Sequence, residues 1–365
     1  MGKENKRPYV SWTEEKEKRK QIEYKVPTKL LSEDGNLLVR GWARHNIFDY
    51  DRTKAVPQWR GKEWDFYQVS NGKYLVQISC ANISIGGYAA ASIINLSTGE
   101  THTSMDLFLG GKNEYVLPAN GDVPNNFKFK HGKVELEFDT GKTSRTLWYK
   151  GIAKGKQLVE CNFQMDLFPN HENITIVTPF IGKPTRFFMT MKQNCMPCAG
   201  TFKIGDKVFE FNKEDTFCVL DWGRGIWPHK NCWYWGNGSK YIIDDKGNKH
   251  IFGFEITWGI GDESYASETC LFYDGKASKI GAVDTEIFPK GRWMEPWHFV
   301  SDDGKFDMTM TPYYNNSTGT KVLGLIGAKC DQIHGLWNGT VILEDNTKLV
   351  IKDMYAFCEY VENLW

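Results

Sequence analysis

The sequence predicts an all-β protein built as two tandem antiparallel barrels, and three observations carry that prediction. Past residue 30 the dominant pattern is two-residue alternation of apolar and polar side chains, clear in KVELEFDTG, KFDMTMTPYY and TVILEDNTKLVIKD. Such alternation turns one strand face to a core and the other to water. The runs are broken by turn chemistry: Gly-Asp in KIGDKVF and Asp-Asn in LEDNTKL separate β-prone segments. Finally, several blocks recur in the same order in the two halves of the chain, the mark of an internal duplication.

Residues 1–30 form a charge-rich arm without a steady period, in which EEKEKRKQ predicts a short solvated helix. A first β unit is expected over 31–199 and a second over 200–365. NLLVRGWARH matches TFCVLDWGRG, pairing Trp42 with Trp222 and Arg44 with Arg224. YAAASIINLSTGE then matches YASETCLFYDGK, and FKFKHGKVELEF matches WHFVSDDGKFDMTM. Last, AGTFKIGDKVFEFNKEDTFCVL matches NGTVILEDNTKLVIKDMYAFCEY. Strand length and turn spacing give each copy roughly eight to ten strands. Eight suffice to close a small barrel around one ligand, so two lipocalin-like barrels are expected. No blade-length repeat recurs often enough for a propeller.

Composition narrows the function. The 365 residues carry zero formal net charge, which leaves no basic footprint for nucleic acid. No apolar run reaches the roughly 18 to 20 residues of a membrane span, so stable membrane insertion is not expected. The first residues lack the apolar core of a secretory signal. Nine cysteines, in segments such as VQISC and TFCVL, read as buried free thiols of a cytoplasmic protein. CMPC, Cys195 to Cys198, is a single pair without a second at zinc spacing, and no nucleotide-loop or serine-elbow string occurs in suitable context. Neither a metal nor an organic cofactor is therefore expected.

GWARH, WDFY, DWGRGIWP, WYWG, LFYDGK, WMEPW, MTPYY and the aromatic C-terminus together resemble an uncharacterised bacterial family, domain of unknown function 2804. The resemblance covers nearly everything past residue 30. That family is distantly similar to the double-barrel calycin group, which includes carotenoid 1,2-hydratases and AttH-like proteins. The resemblance implies a double-calycin fold and supplies no catalytic residues, so the site has to come from chemistry.

The densest chemistry lies in DWGRGIWPHKNCWYWGNG, which holds four of the fourteen tryptophans in eighteen residues. Asp221 is expected at a strand end, where the chain bends through Gly223 and Gly225 and stops pairing at Pro228. Across that bend Asp221 and Arg224 form an ion pair, with Trp222 and His229 beside them. The pair reads either as catalytic machinery or as a buried latch between strands. Trp233 and Trp235 share a strand face. With Trp227 and Trp258 they are expected to wall a cavity inside the second barrel, or else simply to fill its core. Asp221 or Glu268 is the expected proton donor, with Arg224 tuning it. Glu255, in FGFEITWG, and His334, in DQIHGLW, are weaker candidates. Indole faces attract cations by roughly 0.5 to 2 kcal/mol each. Several indoles around an acid therefore suit a cofactor-independent hydratase, cyclase or isomerase acting on an apolar unsaturated molecule. The same walls suit a non-catalytic binder of a small hydrophobic molecule. They also suit a carbohydrate-active protein or glycan binder, for which two carboxylates roughly 5 to 10 Å apart are needed.

Overall fold

The computed structural model describes residues 21–109, 115–180, 182–285, 291–322 and 326–364. Two antiparallel sheets hold most of them. The hydrogen-bonded path of the first begins Thr101–Leu109, Gly86–Asn95, Tyr74–Asn82, Gly61–Ser70. It passes through Phe217–Ile226 and Lys183–Ile204, then runs out through Leu158–Asp166, Ser144–Ile152, Val134–Thr140 and Asn125–His131. This sheet curls until its ends meet: Ser104 Oγ donates to Ile152 O at 3.1 Å, and His131 Nδ1 lies 2.6 Å from Asp106 Oδ2. The second sheet runs Lys276–Lys279, Cys270–Tyr273, Lys249–Trp258, Lys230–Ile243, Lys348–Leu364. It continues through Ile326–Ile342, Phe306–Val322 and Trp297–Ser301 to Val283–Thr285. Its two edge strands are separated in the chain by residues 280–282 alone, so it too curls on itself. These are the two tandem lipocalin-like barrels that the alternation predicts.

The division between them differs from the sequence reading. Phe217–Ile226, counted there with the second unit, pairs with Gly61–Ser70 and Lys183–Ile204 in the first sheet. The expected boundary at 199/200 falls inside the strand Lys183–Ile204, and the second sheet begins at Lys230. The helix expected in EEKEKRKQ falls almost wholly within residues 1–20, outside the described residues. No helix among the described residues is long and apolar enough to cross a membrane.

The last matched block of the duplication has a structural counterpart. A Cβ on Gly200 would lie 2.1 Å from Asn162 O, and one on Gly339 would lie 2.1 Å from Asp307 O. Both glycines permit the same close approach of a neighbouring strand. Phe217–Ile226 and Lys348–Leu364 then correspond, each flanked by the first long strand of its own barrel. The first matched block does not correspond in position: Gly41–Ala43 pairs with Ile174–Phe180 and, at Trp42, bridges Glu23, whereas Phe217–Ile226 lies between Gly61–Ser70 and Lys183–Ile204.

Each barrel is filled. Trp222, Phe138, Phe163 and Phe187 pack inside the first. Trp258, Trp297, Trp337 and Phe299 pack inside the second, where Tyr234 stacks on Trp258 at 4.6 Å and Phe299 on Trp337 at 4.6 Å. A third apolar cluster lies between the barrels and takes Trp42, Phe188 and Trp227 from one side and Ile251, Phe272 and Ala277 from the other. The nine cysteines are free thiols, and burial pushes both CMPC thiols up from their ordinary range.

Candidate functional site

A cavity of about 370 Å³ lies between the barrels, not inside either one. Alternation along three strands builds it. Along Gly61–Ser70, Lys62, Trp64 and Phe66 face the cavity. Asp65 turns into the first barrel and pairs with Arg224, while Glu63, which also borders the cavity, has its carboxylate on Arg52. Along Phe217–Ile226, Asp221 faces the cavity while Trp222 and Arg224 face the first core. Along Lys230–Ile243, Trp233 and Trp235 face the cavity while Tyr234 enters the second core.

The indoles form a continuous wall. Trp227 stands edge-on to Trp64 at 5.3 Å and to Trp233 at 5.6 Å, and Phe66 stands edge-on to Trp235 at 6.3 Å. Two glycines make room for this wall. A Cβ on Gly223 would meet the Trp64 ring at 2.0 Å, and one on Gly225 would sit 3.1 Å from Trp227 Nε1.

Polar groups gather at one end. Lys192 Nζ pairs with Asp221 Oδ1 at 2.6 Å and reaches Glu268 Oε2 at 3.5 Å. It also lies 4.4 Å from the centroid of the Trp235 ring. Burial works against the Lys192 ammonium, but the charges of Asp221, Glu268 and Glu255 outweigh it and hold the pKa above the ordinary lysine value. Thr257 Oγ1 donates to Glu268 Oε2 at 2.7 Å; burial raises the pKa of this carboxyl even with Lys192 beside it. Glu255 lies behind the wall and takes hydrogen bonds from Trp235 Nε1 at 2.6 Å and Asn237 Nδ2 at 2.5 Å; burial raises it strongly.

Glu359 enters from the strand Lys348–Leu364 and lines the cavity. It accepts from Gln332 Nε2 at 3.1 Å and from Trp233 Nε1 at 3.3 Å. Burial, reinforced by the Asp221 charge, raises its pKa to about 7 despite those donors. The strands that the duplication makes equivalent thus each carry one carboxyl group into the same cavity.

The profile of the family described as domain of unknown function (DUF2804) matches residues 21–365. The chain belongs to this family. No curated protein matches this family member significantly. Among solved structures it is similar to kievitone hydratase from Nectria haematococca, with 11% identity, a TM-score of 0.45 and coverage of 84% of this chain and 89% of that one. It is also similar to an AttH-like protein from Nitrosomonas europaea, with 11% identity, a TM-score of 0.39 and coverage of 84% and 92%.

The structure brings together many of the residues singled out in the sequence. Asp221, Glu268, Trp227, Trp233 and Trp235 line the cavity, with Glu255 directly behind. The others sit elsewhere. Arg224 does not pair with Asp221: its Nη2 bonds Asp65 Oδ1 at 2.9 Å inside the first barrel. Phe217–Ile226 is a continuous strand with no bend, and residues three apart in a strand point to opposite faces. Trp222 and Trp258 are core residues of the first and second barrel. His229 is exposed beyond the strand end. His334 is buried, with Nδ1 at 2.9 Å from Tyr355 OH, and burial lowers its pKa to about 3.

Lys192, Glu359, Lys62 and Trp64 are cavity residues that the sequence reading missed. A charge inside an apolar strand flagged Glu255 and Glu268. The same signal is present for Lys192 in FFMTMKQNCM and for Glu359 in YAFCEYV.

Proposed function

We propose that the cavity binds a small apolar unsaturated molecule and protonates it, with Glu359 as proton donor. The observation that carries this reading is a buried carboxyl group, Glu359, that lines an aromatic cavity and is hydrogen-bonded by the Trp233 indole at 3.3 Å, where burial raises its pKa to about 7. A general acid works best with a pKa near the working pH. The chemistry needs no cofactor. The alkene π pair takes the Glu359 proton and becomes a C–H bond, leaving a cation on the adjacent carbon. Trp227, Trp233 and Trp235 present ring faces and edges around it, each face worth roughly 0.5 to 2 kcal/mol to a cation. Asp221, held by the Lys192 ammonium, then takes a proton either from the water that adds to the cation, giving hydration, or from a neighbouring carbon, giving isomerisation. Solvent returns the proton from Asp221 to Glu359.

A second reading, a carrier without turnover, is favoured by the completeness of the polar network: each cavity carboxyl already has a partner within the protein. A glycan suits the site less well, because these paired groups leave few donors for sugar hydroxyls. The deciding experiment incubates a panel of unsaturated isoprenoid and fatty compounds with the protein in deuterium oxide. Uptake of one deuteron is read by mass spectrometry, and binding by quenching of tryptophan fluorescence. The wild type should incorporate deuterium, and E359Q should do so at least about 100-fold more slowly with unchanged affinity. Tight binding with no deuterium uptake by the wild type would leave the carrier.

A further inference from the structure

The reaction outlined above gives no role to Lys62, a charged group on the cavity wall. Lys62 is 6% exposed and lines the cavity on the same strand face as Trp64 and Phe66. Its ammonium lies 3.4 Å from Ile83 O, another wall residue. Strand register fixes its place. Lys62 lies across from Gly225, and Phe66 lies across from Asp221. Four residues of strand, about 13 Å at roughly 3.3 Å each, therefore separate Lys62 from the level of the carboxyl groups.

The two ends of the cavity differ in composition. Asp221, Glu268 and Glu359 gather at one end around Lys192. At the other, Lys62 is followed by Arg60, whose Nε bonds Trp227 O at 2.9 Å. Arg186 is close enough to Arg60 for its charge to disfavour that guanidinium. Glu63, next in the chain, also borders the cavity, but its carboxylate is committed to Arg52 and Tyr50. Burial, then the charge of Arg60, pulls Lys62 down to about 8. The charge of an anion docked at this end would offset both effects.

We propose that the ligand is an amphipathic monoanion, an unsaturated carboxylic acid whose carboxylate docks on Lys62 and whose tail carries its double bond to Glu359 and Asp221. This rests on the reading of the cavity as the binding site. At this end the wall presents one ammonium, Lys62, and a single positive charge suits a carboxylate better than a phosphate. The ammonium at the far end, Lys192, is already paired with Asp221 and lies 3.5 Å from Glu268, so a ligand carboxylate gains more at the Lys62 end, which favours one orientation.

The test compares palmitoleate with palmitoleyl alcohol and methyl palmitoleate, each followed by quenching of tryptophan fluorescence. A charge-assisted hydrogen bond to a buried ammonium predicts that wild type prefers the acid over the alcohol by at least about tenfold. K62M should lose that preference while holding the alcohol as tightly as before, and K62R should retain it. Equal binding of acid and alcohol by the wild type overturns the proposal without recourse to any variant, as does a preference that survives in K62M. Binding is read without turnover, so the two proposals fail separately. A head-group preference without deuterium uptake supports the anion site and removes the catalysis. Deuterium uptake without a head-group preference does the reverse.

Discussion

At the scale of single residues, the carboxyl groups of this cavity are distinguished by their neighbours more than by their type. Asp221 has an ammonium at 2.6 Å, whereas Glu359 has an amide, an indole N–H and burial. That contrast gives a pH prediction. Burial raises Glu359 from 4.5 to about 7, so between those values the folded chain holds a proton that the unfolded chain has released. Stability therefore falls as pH rises through this window; below it the group is neutral in both states and costs nothing. The span is worth about 3 kcal/mol at roughly 1.4 kcal/mol per pKa unit. Glutamine does not titrate, so E359Q should gain about 3 kcal/mol on the wild type between pH 4.5 and 7.5, measured by urea unfolding at several pH values. Deuterium uptake by the wild type should fall as pH rises through about 7, because the donor is then discharged. A gap between wild type and E359Q that stays constant with pH would show that Glu359 is ionised throughout. Lys192 and Glu359 were legible in the sequence as charges inside apolar strands. The Arg224–Asp65 pair was not, because 159 residues separate its partners and nothing local records strand pairing.

At the scale of elements, Phe217–Ile226 shows what alternation reveals and what it hides. The two-residue period assigns Asp221, Gly223 and Gly225 to one face and Trp222, Arg224 and Ile226 to the other. It does not say which face meets the cavity. Glycine in a strand signals either a bend or a close approach. The sequence alone suggests the first, and the structure shows the second, with the Trp64 indole lying against Gly223. G223A should therefore act through Trp64. The added methyl would overlap ring atoms at 2.0 Å and drive the indole toward the cavity. Overpacking of this kind costs roughly 1 to 3 kcal/mol. Thermal unfolding should show that loss, and fluorescence titration should show weakened ligand binding in the protein that remains folded. A G223A protein that binds as the wild type does would mean that Trp64 is not part of the wall.

At the scale of the whole molecule, the duplication was legible because both copies keep the same alternation and turns. The packing of one barrel on the other was not, since alternation sorts side chains onto two faces without saying which faces of which strands meet. A cavity between barrels keeps its shape only if they are held rigidly together, and two features do this. The third apolar cluster is shared by both sheets, so neither barrel buries it alone. Arg44, from the start of the first unit, bonds Glu23 at 3.0 Å and Glu344 of the second at 2.9 Å, and also donates to Ala277 O. Separating the barrels would expose that cluster and release Arg44, so they should unfold together. Far-UV circular dichroism follows both sheets, while tryptophan emission is weighted toward the cavity and the second barrel. The two signals should trace one coincident thermal transition. A ligand of the folded state should move the whole transition by RT ln(1 + [L]/Kd), about 2.7 kcal/mol at a hundredfold excess over Kd. If emission changed first, the second barrel would be opening by itself. A ligand held between the barrels should then close the gap between the two transitions, while a ligand held elsewhere would leave it unchanged.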